Sequence, residues 1–205
     1  MEQKMHYIVT INRQFGSLGR PIARKLSEKL GIRYCDRDIV DQTAQKMNMP
    51  VSKISDLEES AQGSFFSMKY PLGMGTSDVQ DQIFEEQRLL ISKIATKESC
   101  VIVGRCADAI LREFPNVIRI YIFAPNDERI KICIDDFHMQ KDEARRMMLE
   151  VDKARERYHK QYAGYLPSDS DHVNISIDSS LLGVDGTVDV LAMFVNKYLA
   201  KQKED

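Results

Sequence analysis

Apolar and polar positions fall into alternating blocks along this chain. Tyr7–Ile11 and Val117–Phe123 are dense in β-branched and aromatic residues, the composition of strands. Cys100–Gly104, CVIVG, is a continuous apolar run, suited to a parallel strand buried on both faces. Ile32–Asp36 and His172–Ile177 are the two remaining strand-like runs. Helical spacing fills the intervals. Ile22, Ala23, Leu26 and Leu30 form one stripe, with Pro21 suited to a first turn and Gly31 to the position past the end. Ser77 with Gln80 resembles a capping box ahead of Val79, Ile83, Phe84, Leu90, Ile91 and Ile94. Asn126 is a candidate cap for the helix holding Ile130, Cys133, Ile134 and Phe137. Val188, Leu191, Ala192, Val195 and Leu199 predict a last helix near Val184–Leu199. Strands alternating with helices predict an α/β domain, a parallel sheet with helices on both faces.

Two stretches break the rhythm. Ala61–Ser77 mixes Gly and Ser with Phe65, Phe66, Met68, Tyr70, Leu72 and Met74; it reads as a loop or mobile flap. Its apolar side chains need cover from substrate, from a partner subunit in a homo-oligomer, or from the core. Lys141–Tyr165 is long and highly charged. The chain of 205 residues is expected to form one domain carrying these two inserts. A net charge of −2 gives no general drive toward nucleic acid or a membrane surface. No apolar run has the length of a membrane span, and the first residues, MEQKMHYIVTI, do not read as a secretory signal. The four cysteines, Cys35, Cys100, Cys106 and Cys133, show no C-x-x-C pairing. They are expected to be reduced core residues of a cytoplasmic protein. The four histidines are scattered and pair with no carboxylate at ligand spacing.

Four segments carry candidate chemistry. Between the first strand and helix, Gly16 and Gly19 are bracketed by Arg13 and Arg20. Glycine permits positive φ and close approach of backbone to an anion, and a strand–turn–helix aims N–H groups at a phosphate. A Walker A loop reads G-x-x-x-x-G-K-[ST]; here Arg20 and Pro21 follow Gly19, so the lysine is absent. The same residues also fit an ordinary turn with surface arginines. Arg105, directly after CVIVG, belongs at the carboxyl edge of the sheet, where ligands of open parallel sheets bind; it fits equally an ion pair with Asp108 or Glu113. Arg146, Lys153, Arg157 and Lys160 share one helical face, either closing over polyphosphate or forming a solvated, salt-bridged surface. Arg155 points elsewhere on an ideal helix. Asp36 and Arg37 either contact a second substrate or, with Asp38, cap the next helix. No Ser-His-Asp set, zinc signature, dinucleotide fingerprint or aspartate at the end of the third strand is present.

Taken in order, the first strand, the GSLGR turn, YCDRDIV, CVIVGRCAD, VIRIYIFAP, VDKARERYHKQYAG and SSLLG resemble the cytidylate kinase-like family over Ile8 to about Leu182. The resemblance implies a three-layer P-loop kinase fold: a five-stranded parallel sheet flanked by helices, with a helical lid over 141–165. It implies ATP as phosphoryl donor, Mg²⁺, and a small phosphorylated acceptor, with CMP or dCMP the default. Gly16, Ser17, Gly19 and Arg20 fall on the phosphate loop with Arg13 beside them. Arg105 matches the arginine of the family's D-G-R segment, which contacts the acceptor's phosphate. Arg155 and Arg157 fall in the lid, whose arginines engage the transferring phosphate, and Asp36 and Arg37 fall near the acceptor. The departures are the lysine, whose neighbourhood holds Gly19 or Arg20, the D-G-R aspartate, replaced by Val103, and a third glycine, replaced by Leu18. Their absence favours the other class of function, a non-catalytic nucleotide-binding or regulatory protein retaining the fold.

Overall fold

The computed structural model describes residues 6–51 and 77–202. The Ala61–Ser77 flap and the Ser77 cap therefore lie outside the described side chains. Five parallel strands form one sheet: β1 (Ile8–Arg13), β2 (Arg33–Cys35), β3 (Cys100–Val103), β4 (Val117–Phe123) and β5 (Ile175–Asp178), in the order β2-β3-β1-β4-β5. The helices are α1 (Gly19–Leu30), α2 (Arg37–Met47), α3 (Ser77–Ala95), α4 (Ala107–Ile110), α5 (Asn126–Asp135), α6 (Lys141–Ala163) and α7 (Gly183–Lys201).

Alternation along the strands sorts the core into two layers. Val9, Ile11, Val101, Val103, Ile118 and Ile122 face Ile22, Ala23 and Leu26 of α1 and Leu191 and Val195 of α7. Ile8, Cys100 and Ile102 face Ile39 of α2, Ile91 and Ile94 of α3, and Ala107 of α4. These side chains are essentially all buried, which is why CVIVG is apolar at every position. Each fully buried isoleucine or leucine stabilises the fold by about 1.5–3 kcal/mol. The four cysteines are free and buried. No described helix is long and apolar enough to cross a membrane.

Element ends differ from the periodicity by a few residues. β1 runs on to Arg13, because Asn12 and Arg13 still pair with Tyr121 and Ile122 of β4. β5 starts at Ile175, three residues later than expected; the Asn174 side chain there accepts the Arg119 N–H. Gly31 closes α1 at φ 65° as expected. Asn126 does not cap α5. It is the first residue of that helix, and its side-chain oxygen accepts a hydrogen bond from Arg129 at 2.7 Å.

The strand order places a reversal at β1. The chain leaves β1 for β2 on one side, and β3 crosses to β4 on the other. The carboxyl ends of β1 and β3 therefore border the crevice where open parallel sheets bind ligands.

Candidate functional site

β1 ends in two polar residues on opposite faces. Asn12 continues the row of Ile8 and Thr10, while Arg13 continues that of Val9 and Ile11. Gln14–Leu18 then turns the chain into α1. The turn is fixed from several sides. The Ser17 hydroxyl donates to the carbonyls of Gln14 at 2.9 Å and Ile122 at 3.3 Å. Ser179, after β5, donates to the Ser17 carbonyl at 2.8 Å. The Phe15 N–H donates to Asp152 Oδ1 at 2.8 Å, and Arg129 Nη1 donates to the Phe15 carbonyl at 3.1 Å. Gly16 takes φ 74°, but its open side faces α5: a Cβ there would lie 3.0 Å from the Arg129 carbonyl oxygen and 3.1 Å from Cys133 Sγ. The other left-handed residue of the turn is Leu18, at φ 56°. Gly19 begins α1 without positive φ. Of the two glycines, only Gly16 thus uses the conformational freedom the sequence suggested.

Asp36, at the end of β2 and the start of α2, is 6% exposed and draws arginines from three elements. Arg20 Nε donates to Oδ2 at 2.9 Å, and the Tyr34 hydroxyl donates to the same oxygen at 3.1 Å. Arg105 Nη1 stands 3.6 Å from Oδ1, which has no hydrogen-bond partner. Burial works to raise the Asp36 pKa, but the charges of Arg20, Arg105 and Arg13 and the Tyr34 hydrogen bond outweigh it and hold the carboxyl below its ordinary value. Burial and the Asp36 charge push the Tyr34 phenol up. Asp36 makes no side-chain cap for α2; instead Asp38 Oδ1 accepts the Asp36 N–H at 3.0 Å. Arg37 is exposed.

Arg105 pairs with Asp36 rather than Asp108 or Glu113, and its backbone explains how. Gly104, Arg105 and Cys106 are consecutive left-handed residues, at φ 72°, 57° and 52°. This reverses the chain at the end of β3, and Arg105 Nη1 bonds back to the Val103 carbonyl at 3.3 Å. Left-handed backbone costs a non-glycine residue about 1–2 kcal/mol, so two such residues mark a segment held under strain.

α6 presents two faces. Asp152, Arg155 and His159, at i, i+3 and i+7, turn toward the sheet. Asp152 takes the Phe15 N–H and pairs with Arg129. Arg155 Nη1 donates to the Arg13 carbonyl at 2.8 Å and lies 4.0 Å from Asp152 Oδ1. Arg146, Lys153, Arg157 and Lys160 are exposed. The helix therefore brings Arg155, which ideal spacing set apart from the basic face, to the loop, while Arg157 stays outside. α6 is not a detached cover either: Ala144, Met147, Met148 and Val151 pack with Phe15, Ile130 and Cys133.

One turn beyond Arg155 lies a buried ion pair. His159 Nε2 is 2.9 and 3.1 Å from the two oxygens of Asp108, and Nδ1 is 2.9 Å from the Tyr165 carbonyl oxygen. The Tyr165 hydroxyl donates to Asp108 Oδ2 at 2.9 Å. Two ring nitrogens both facing acceptors require an imidazolium. Burial lowers the His159 pKa, but the Asp108 hydrogen bond and charge outweigh it and the net shift is upward. For Asp108, burial raises and the His159, Asn12 and Tyr165 contacts lower, with a net shift downward. Sequence spacing pairs no histidine with a carboxylate, and this pair forms only in the fold, between residues 51 positions apart. Asn12, Asp108, Arg129, Asp152 and Tyr165 were missed likewise. The Asp152–Arg155–His159 stripe was legible as helical spacing, but nothing in the chain announced its partners.

The fit for magnesium is poor. Among the described residues, no group of three or more His, Cys, Asp or Glu side chains is placed to hold a metal ion. The two loop-side carboxylates, Asp36 and Asp152, are engaged by arginines, and Pro21 stands where the loop hydroxyl would be.

With this geometry in place, comparison with solved structures is direct. An uncharacterized protein from Eubacterium ventriosum superposes with TM-score 0.72 at 27% identity, covering 93% of this chain and 99% of its own. A sugar kinase from Janibacter gives TM-score 0.55 at 13% identity, over 94% of this chain and 95% of that one. A shikimate kinase from Acinetobacter baumannii, solved with shikimate, gives 0.51 at 15%, over 99% and 97%. These two share the kinase fold with this chain. No curated protein matches the sequence. The sequence profile of the cytidylate kinase-like family matches residues 8–181, and the chain belongs to that family.

Proposed function

We propose that this protein is a small-molecule kinase that transfers the γ-phosphoryl group of ATP to a phosphorylated acceptor, with a nucleoside monophosphate, CMP or dCMP, as the first acceptor to try. The carrying observation is the gathering of Arg13, Arg20 and Arg105 about Asp36 at the end of β2, with Arg155 donating to the Arg13 carbonyl. Family membership and the kinase-fold neighbours support the kinase part of this reading. Catalysis is then mainly positioning and charge stabilisation. Arg20 and the amides near Ser17–Gly19 would hold donor phosphates, and Arg105, beside Asp36, would take the acceptor's phosphate. Arg155 would stabilise the migrating group; Arg157, exposed, is the weaker member. We place the reaction in the cytoplasm, in keeping with four free buried thiols.

A specific observation favours a second reading, a nucleotide-binding regulator: the lysine is missing and no described carboxylate set suits magnesium. The deciding assay incubates the purified protein with ATP, Mg²⁺ and a panel of nucleoside monophosphates, with shikimate added because a shikimate kinase shares the fold. ADP release with a monophosphate supports the kinase. ATP binding without turnover on any acceptor sinks it in favour of the regulator.

A further inference from the structure

The geometry points to Arg13 as the residue that stands in for the absent phosphate-loop lysine, crossing from the end of β1 into the volume a side chain at position 19 would use. This deepens the phosphate-binding reading above and rests on it. The first observation is the identity of residue 19. Gly19 sits in the first turn of α1 at ordinary helical φ, where alanine is the better helix former. Conformation therefore does not demand glycine there. Space does: a Cβ on Gly19 would lie 2.7 Å from Arg13 Cβ and 2.8 Å from Arg13 Cγ. These are the stem atoms of Arg13, which cannot swing aside as a flexible tip can.

The second observation is where the stem leads. Arg13 Nη1 reaches within 2.5 Å of where a Cβ on Gly104 would stand. The side chain thus runs from its stem at the start of α1 to its guanidinium at the end of β3, beside the strand-order reversal. A lysine at 19 would leave the helix through the same volume. The third observation is support: Arg155 Nη1 donates to the Arg13 carbonyl, which fixes the root of the side chain from α6. Arg13 also contributes to the field that keeps Asp36 ionised, the charge that Arg20 and Arg105 contact. Arginine in this place offers planar, bidentate donors to phosphate oxygens where lysine offers a point charge. The ligand class is a polyphosphate, the β- and γ-phosphates of a nucleoside triphosphate.

The test is calorimetric titration of the full chain with inorganic tripolyphosphate and with ATP, with melting temperatures recorded alongside. Arg13→Ala should weaken both ligands by at least about tenfold, as loss of a charge-assisted contact implies. Gly19→Ala, a change that favours the helix, should weaken both as well, because it displaces Arg13. The double variant Arg13→Gly with Gly19→Lys should recover most of the lost affinity, which a purely structural arginine would not allow. Wild-type affinity in Arg13→Ala, or unimpaired binding in Gly19→Ala, overturns the inference while leaving nucleotide binding intact. If the double variant does not fold, those two single variants still decide. A wild-type protein that binds neither tripolyphosphate nor ATP defeats the phosphate-binding reading itself, and this inference with it.

Discussion

Two buried aspartates, Asp108 with His159 and Asp36 with its arginines, hold two polar knots on this molecule, and they are built in opposite ways. Asp108 is sealed. His159, Tyr165 and Asn12 close around it, and its carboxylate is buried against α6. Asp36 is buried too, but Arg20, one of its ligands, is 40% exposed at the side chain. One Asp36 oxygen has no hydrogen-bond partner, and its cations arrive from the β1–α1 loop and the strained turn after β3. A closed set of partners holds one geometry. An incompletely satisfied carboxylate ringed by arginines on a crevice is an arrangement that a phosphate can enter and reorganise. We read Asp108 as architectural, tying α6 to the GRCAD turn, and Asp36 as part of the proposed site.

The largest test of this difference is a pair of isosteric substitutions. Asp108→Asn leaves a buried imidazolium without its counter-ion and is expected to cost about 3–5 kcal/mol in urea-melt stability. Asp36→Asn should cost less than half of that, because Arg20 can turn to water, and should instead disturb binding of phosphorylated ligands. Equal losses for the two would erase the distinction and make Asp36 a structural residue.

A milder probe leaves the chain intact and varies pH. The sign follows from the two shifts. His159 is raised in the folded state, so its contribution is fully present below the unfolded value of about 6.5 and is lost as pH rises through the folded value. Asp108 is lowered, so its contribution is present above about 3.9 and is lost as pH falls through the folded value. The pair therefore supports the fold best between those limits, and thermal stability should decline from pH 6.5 toward pH 9. His159→Gln should flatten that decline. An unchanged slope in the variant would show that His159 is not the titrating group.

The layers of the fold were legible because each buried strand declares itself locally. CVIVG is apolar at every position since both of its faces meet helices, and Gly31 ends α1 as glycine after a helix should. The site was legible only in pieces. Arg13, Arg20, Asp36 and Arg105 each lie next to a strand end, and strand ends share an edge in a parallel sheet. What joined them was not local. The strand order brings β3 beside β1, and the left-handed run at Gly104–Cys106 aims Arg105 at Asp36 rather than at Asp108. On α6 the basic face of Arg146, Lys153, Arg157 and Lys160 is exposed, the solvated one of the two readings its charge pattern allowed. The sheet-facing side carries Asp152, Arg155 and His159, whose mixed polarity gives no signal in a charge count.

The smallest effect concerns the strain itself. Arg105 holds φ 57° between two other left-handed residues. Glycine takes that conformation freely, which returns about 1–2 kcal/mol, while the more flexible unfolded chain takes back about 0.4–1 kcal/mol. Losing the buried guanidinium, 3.6 Å from Asp36, costs Arg105→Gly and Arg105→Ala alike. Arg105→Gly is therefore expected to be more stable than Arg105→Ala, which loses the same guanidinium and keeps the strain. Both variants should weaken use of the phosphorylated acceptor to a similar degree. That split between stability and function would show that the turn is held in an unfavourable backbone for the sake of one side chain. If Arg105→Gly is instead the less stable of the two, the left-handed turn carries no strain, and Arg105 must be placed with Asp108 among the residues that hold the fold.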